Sequence, residues 1–374
     1  MHEEQRARAA QLLEENGVDC ALFSDIYSVR WLTGLNLPAP ALVWFDRGRF
    51  TLLVDEGFAP ASSFSDNPDC AHVTYVNYTI QQPIDPPGSL AEILGDFVAD
   101  SAAPAGRVGI EEKSLFLSLW QTLNSALTGG CEPISLEGKL LPLRAVKTEE
   151  ELARIREGFR LVTIGHDAAR KAVRQGQREI DVWTEVQTAV EREAGMWMQM
   201  GNDCIVGHRP SNMGAAPLDY EIYADDSLIL DLSVVVDGYW TDSCATYFAN
   251  QPTALQLELH KFVEEALAFA VSLLRPGVVA HDVDRQIRRY MADGGYEVYP
   301  HHSGHGIGLT SHEAPRIVPY SQEVFEEGHV VMLEPGIYVP GVTGVRLEDA
   351  FLVTADGAEP LSHHDKSLPQ WPSG

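Results

Sequence analysis

Positive charge is scarce in this 374-residue chain. Lys and Arg total 27 against 54 Asp and Glu, a formal net charge of −27 with an isoelectric point near 4.7. Such a surface repels phosphate backbones and anionic headgroups, so neither a nucleic-acid nor a membrane partner is expected. Long apolar runs are missing as well. The longest candidate, Ala266 to Leu274, is half of the roughly 18–20 residues needed to cross a bilayer. Cysteines number five, at positions 20, 70, 131, 204 and 244, and none forms a C-x-x-C pair. That argues against a disulfide framework or a thiolate zinc site. The opening Met1-His2-Glu3-Glu4-Gln5-Arg6 is too polar for a secretory signal, and the expectation is a soluble, cytoplasmic protein. With 45% hydrophobic and 22% charged residues the chain reads as packed rather than disordered. The acid surplus also has a positive use, because carboxylates hold hard divalent cations.

At roughly 100–200 residues per domain, the length predicts two domains. The first stretch alternates helix and strand signals: a surface helix from Glu3 to Asn16 ended by Gly17, a strand at 19–23, and a hairpin at 41–54 turning on Asp46-Arg47-Gly48-Arg49. A strand at 107–110 and a helix from Leu115 to Ala126 follow. This part carries no cluster of His, Asp and Glu. A boundary is expected near residue 143, giving domains 1–143 and 144–374. After it, Thr148 and Glu151 have capping-box spacing, and helical periodicity runs on through Arg170.

The second domain carries a weak internal repeat. Arg174-Gln175-Gly176 precedes Asp181-Val182 as Arg275-Pro276-Gly277 precedes Asp282-Val283. Each copy has helices around the glycine and then leads to a pair of acid-bearing strands. A duplicated helix–helix–sheet unit around a pseudo-twofold would bring those acids face to face.

The acids interrupt strongly apolar strands. Leu228 to Val236 contains Asp231, Asp237-Gly238 is a two-residue hairpin signal, and Tyr239 to Tyr247 contains Asp242. That turn sets Asp231 opposite Cys244 and Asp242 opposite Ser233, so the two acids become diagonal neighbours on one face. One of them at an exposed strand edge is the alternative, more plausible for Asp242 than for Asp231. Val330 to Glu334 and Gly344 to Asp349 form a second pair. A loop centred on Val342 makes Glu348 the diagonal neighbour of Glu334. Between the pairs lie His301, His302, His305 and His312, with Gly304, Gly306 and Gly308 interleaved. The rival readings are a phosphate cradle, against which no Lys follows, and a surface His cluster of no consequence. Carboxylates with an imidazole suit two divalent ions such as Mn²⁺, with Zn²⁺, Co²⁺ or Fe²⁺ as options.

These motifs resemble the pita-bread metallopeptidases, and most closely their prolidase/aminopeptidase P branch. The resemblance rests on the spacing of Asp231 and Asp242, on Gly304-His305-Gly306-Ile307-Gly308, on Leu333-Glu334-Pro335-Gly336-Ile337-Tyr338 and on Gly344-Val345-Arg346-Leu347-Glu348-Asp349. Ser28 to Gly34 looks like the branch's creatinase-type N-terminal domain. The implied fold is α+β: a duplicated pita-bread domain preceded by an α/β domain. The implied ligands of two metal ions are Asp231, Asp242, His305, Glu334 and Glu348. His312 would stabilise the oxyanion, Glu334 would relay a proton, and His301 would stand behind the ligands. Arg346 would orient a carboxylate or bind substrate. The implied reaction is hydrolysis of Xaa-Pro dipeptides by a hydroxide bridging the ions, in a homodimer. Aminopeptidase P activity, a non-peptidase hydrolase or lyase, and an inactive binding module are the alternatives. The sequence departs from the branch at Cys244-Ala245, where Thr-Arg is usual. It departs again near Met213 to Leu218, where a Pro-His pair is usual. His208, Arg209, Tyr220 and Tyr223 on that altered loop are candidates for substrate contacts.

Overall fold

The structure is a computed structural model that describes residues 2–37, 40–58, 64, 69–81, 83–101, 106–127, 131–201, 203–209 and 215–368. The chain divides into two compact units, Met1–Arg144 and Ala145–Gly374. Among the described residues, no helix is long and apolar enough to cross a membrane.

The first unit is a mixed sheet flanked by helices. Its strands are β1 (Cys20–Phe23), β2 (Leu42–Asp46), β3 (Arg49–Asp55), β4 (Cys70–Tyr75), β5 (Arg107–Ile110) and β6 (Glu132–Ser135), in the spatial order β4-β3-β2-β1-β5-β6. The β2–β3 hairpin turns on Arg47 and Gly48. Both have positive φ, at 50° and 81°, which matches the twist of the flanking strands. Helices α1 (Glu3–Glu15), α2 (Ile26–Thr33), α3 (Pro86–Ser101) and α4 (Leu117–Ala126) supply the layers, and α5 (Leu141–Ala145) lies at the unit boundary. Helix α2 escaped the sequence reading. It is only eight residues long and depends on Asp25, whose side chain accepts from the Tyr27 and Ser28 amides.

The second unit is a repeat. Its first half runs α6 (Glu149–Ala172), α7 (Glu179–Ala194), β7 (Gln199–Gly201), β8 (Cys204–Val206), β9 (Ser227–Asp231), β10 (Ser233–Val236), β11 (Tyr239–Trp240) and β12 (Cys244–Phe248). The second runs α8 (Ala254–Val271), α9 (Ala280–Asp293), β13 (Gly304–Gly306), β14 (Glu313–Ile317), β15 (Val330–Leu333), β16 (Gly336–Val339), β17 (Thr343–Arg346), β18 (Asp349–Thr354) and β19 (Gly357–Pro360). The two halves repeat down to single hydrogen bonds. The Gly176 amide donates to the Ile222 carbonyl at 2.9 Å, and the Gly277 amide donates to Phe325 at 2.9 Å. Both glycines have left-handed φ, 83° and 86°, where any other residue would be strained. Val182 and Val283 are fully buried in matching cores.

Helix α6 starts on the expected capping box: Thr148 Oγ1 accepts from the Glu151 amide and Glu151 Oε2 from the Thr148 amide. Glu151 also accepts from the Tyr239 hydroxyl at 3.1 Å. The cap therefore ties the helix start to the strand pair that leads to Asp242.

Candidate metal centre

Local pairing builds one row of side chains. Asp231 on β9 faces Cys244 on β12, as the two-residue turn requires. Asp203, just before β8, exchanges backbone hydrogen bonds with Asp231 at 3.0 and 2.9 Å. Cys244 bridges antiparallel to Glu348, with backbone bonds of 3.2 and 2.9 Å. Directly opposed residues project to the same face, so Asp203, Asp231, Cys244 and Glu348 line up across the strands. Ser233 Oγ donates to Asp242 Oδ1 at 3.2 Å, in keeping with their expected pairing.

The second hairpin differs from expectation by one step. Its loop is centred on Gly341, with φ of +72°, and Val339 faces Thr343. Leu333 faces Asp349 and Gly336 faces Arg346. Glu334 therefore falls directly opposite Glu348 rather than diagonal to it. The expected centre at Val342 ignored the left-handed conformation that glycine accepts and valine resists. The error kept the parity of the strand, so the face was right.

The glycines around His305 serve packing. A Cβ on Gly304 would sit 2.0 Å from the Met332 carbonyl oxygen, and one on Gly306 would sit 2.0 Å from that of Ala314. Only bare backbone lets β13 lie between β14 and β15. His305 is thereby held with Nδ1 3.0 Å from the Gly306 carbonyl. That carbonyl can only accept, so Nδ1 carries the proton and Nε2 presents a lone pair. The lone pair faces Glu334 Oε1 and Glu348 Oε1 at 3.7 Å each, and Asp242 Oδ2 at 3.9 Å. The ligand atoms of Asp242, His305 and Glu348 all lie within 4.8 Å of one another, and all three residues are buried. Among the described residues, neither oxygen of Glu348 has a hydrogen-bond donor. A buried carboxylate in the position of Glu348, facing other acceptors with no donor among the described residues, is costly unless a cation joins them. The donor set, carboxylate oxygens with one imidazole, fits a divalent ion.

The electrostatics point the same way. Burial first, then the charge of Asp231, pushes the Asp242 carboxyl well above the usual range. Burial, Asp242 and Asp231 do the same to Glu348. Glu334 goes the other way: burial would raise it, but the hydrogen bond and charge of His302 bring it down to about 2. Burial lowers His305 to about 3 and His301 to about 4, in each case against the pull of Glu334. Both imidazoles are therefore neutral near pH 7.

The remaining expected residues surround this cluster. His302 Nε2 lies 2.6 Å from Glu334 Oε1. The His312 ring is 4.0 Å from that of His305, and His312 is exposed to solvent. His301 stacks on Tyr299, and its Nε2 is 2.9 Å from the Tyr338 hydroxyl. Arg346 donates from Nη2 to Asp231 Oδ2 at 2.8 Å and to Asp203 Oδ2 at 2.5 Å, and from Nη1 to Tyr338 at 3.2 Å. His208 stands between Asp226 and the Tyr220 hydroxyl, 3.0 Å from each, and Tyr223 packs edge-on against Tyr220. Arg209 donates from Nε and Nη2 to the fully buried Glu179. Glu179 also accepts from the Val206 and Leu218 amides and so organises this loop. Residues 210–214, where part of the Pro-His comparison falls, lie outside the described residues.

Comparison with known proteins agrees with this geometry. Residues 153–355 match the model of metallopeptidase family M24. The chain belongs to this family. Residues 5–146 match the creatinase/prolidase N-terminal domain, so the M24 pita-bread domain follows a creatinase-type domain. An Xaa-Pro dipeptidase of Lactobacillus delbrueckii subsp. lactis is 29% identical over 360 residues, 95% of this chain and 96% of that protein. Among solved structures, the Xaa-Pro dipeptidase from Bacillus anthracis superposes with a TM-score of 0.86 at 25% identity, covering 98% of this chain and 99% of that one. The prolidase from Pyrococcus furiosus superposes at 0.79 and 25% identity, covering 95% and 99%.

Three polar neighbours of this candidate site went unassigned in the sequence: Asp203, His302 and Tyr338. His302 and Tyr338 sit inside quoted motifs, and their chemistry was visible but their direction was not. Asp203 carries no motif signal, because the long connection between β8 and β9 hides their register.

Proposed function

We propose that this chain hydrolyses Xaa-Pro dipeptides with two divalent metal ions, Mn²⁺ being the best match to the donor set. Asp231, Asp242, His305, Glu334 and Glu348 are the assigned ligands. The observation that carries the reading is the buried convergence of Asp242, His305 and Glu348, with both Glu348 oxygens lacking a donor among the described residues. Bound ions would supply Lewis-acid polarisation and an activated water. The chain's own groups do the rest. Arg346 holds Asp231 in orientation. His312, exposed beside His305, is placed to donate to the carbonyl oxygen of a bound substrate. Glu334, held ionised, is the carboxylate that moves a proton to the prolyl nitrogen, which has no N–H of its own. His301 and Tyr338 brace the Glu334 and Arg346 sides. His208, Arg209 and Tyr220 are assigned to the substrate rim. A homodimer, supported by the family resemblance, and a cytoplasmic location, in keeping with five cysteines that form no C-x-x-C pair, complete the reading.

The test is one panel: Met-Pro, Ala-Pro, an Xaa-Pro-Yaa tripeptide and a non-prolyl dipeptide, each with Mn²⁺, Zn²⁺ or Co²⁺ after chelation. Turnover of the two prolyl dipeptides that disappears on chelation and returns with metal is the expected result. Equal rates on the tripeptide would replace it with aminopeptidase P activity. Full activity after chelation would overturn the metal mechanism.

A further inference from the structure

Arg346 poses a problem for a cation site. Its side chain is only 5% exposed, and its guanidinium donates to Asp231, an assigned metal ligand. A buried positive charge there opposes the binding of further positive charge. Asp203 stands on the far side. Its Oδ2 is 2.5 Å from the same Nη2 that reaches Asp231 Oδ2 at 2.8 Å. Its backbone is locked to Asp231 by two hydrogen bonds. Two acids directly opposite on neighbouring strands repel unless a cation lies between them, and Arg346 is that cation.

We propose that Asp203 is a positioning residue: as the counter-ion of Arg346, it lets the guanidinium orient Asp231 without adding net positive charge to the metal site. The argument rests on the metal-centre assignment made above. Four ligand carboxylates balance two divalent ions, and Asp203 with Arg346 forms a separate neutral pair. Removing Asp203 alone leaves Arg346 paired only with Asp231, a ligand acid, and the site one positive charge in excess. Removing both restores the balance of charge.

The test is a metal-binding cycle on the full chain, read by calorimetric titration of Mn²⁺ into chelator-treated protein. The proteins are wild type, Asp203→Asn, Arg346→Met and the double variant. Asn keeps a carbonyl acceptor for Arg346 and removes only charge. Outer-shell changes of this kind weaken metal binding by about 10–100-fold, so D203N should bind Mn²⁺ at least tenfold more weakly than wild type. The double variant should bind more tightly than D203N. The melting midpoint of metal-free D203N separates a charge effect from damaged structure: it should stay near that of metal-free wild type. D203N binding within twofold of wild type, or a double variant no tighter than D203N, overturns the proposal. So does D203N weakening that is matched by an equal loss of metal-free stability. If D203N does not fold, Asp203→Ser carries the same comparison. Wild type that binds no Mn²⁺ would instead refute the metal-centre assignment itself.

Discussion

Replacing Glu348 by Gln should raise the stability of the metal-free protein and remove most of its stabilisation by metal. Glu348 is 1% exposed, its two oxygens lack donors among the described residues, and burial, then Asp242 and Asp231, push its carboxyl well above the ordinary range. A buried polar group without a partner costs about 1–3 kcal/mol. The amide of Gln removes the charge and can donate to a neighbouring carboxylate. For a unit the size of Ala145–Gly374, each 1 kcal/mol moves the melting midpoint by roughly 2–4 °C. Metal-free E348Q should therefore melt roughly 2–12 °C above metal-free wild type. Mn²⁺ at a hundred times its dissociation constant should stabilise wild type by about 2.7 kcal/mol, and a hundredfold weaker site at that concentration by about 0.4 kcal/mol. Differential scanning fluorimetry with and without chelator reads both effects. An E348Q protein that melts lower without metal and keeps the full Mn²⁺ shift would refute the reasoning.

Other perturbations test the scaffold. At Gly158 on α6 a Cβ would sit 2.4 Å from Thr241 Cγ2, one residue from Asp242. Gly158→Ala gains about 1 kcal/mol of helix propensity but overpacks by about 1–3 kcal/mol, so its midpoint should fall; a rise would contradict the tight contact. Tyr338→Phe removes the hydroxyl that joins His301 to Arg346 and should lower kcat/KM on an Xaa-Pro dipeptide by about tenfold or more; an unchanged value would exclude that link. Glu111 in the first unit has its carboxyl raised to about 7, chiefly by burial, against hydrogen bonds from Ser28, Asp25 and Ser24. A folded value above the unfolded one means the contribution is complete below about 4.5 and lost as pH rises through about 7. Glu111→Gln should flatten the fall in melting midpoint between pH 5 and 8, and an identical slope would show that another group titrates.

Much of the site could be read from the chain because its acids interrupt apolar strands around short turns. Asp237-Gly238 sets a register by itself, so Asp231 opposite Cys244 followed from counting. The Glu334–Glu348 pair needed the left-handed conformation at Gly341, which counting alone misplaced by one residue. The repeat was visible through Gly176 and Gly277 because positive φ restricts those positions to glycine. Helix α2 was not visible, since an eight-residue element rests on its Asp25 cap and on packing rather than on periodicity.

The sequence by itself determined which residues could hold a cation, which strands bear them and which face they share, because turn chemistry and strand parity are local. Only the tertiary structure decided how the two halves meet. The Cys244–Glu348 bridge joins one hairpin to the other, and the ring of His305 is aimed by β14 and β15 pressing on bare glycine backbone. Asp203 enters the row only through pairing across a long connection. Such contacts depend on burial and backbone approach between distant segments, for which no short stretch of sequence carries a signal.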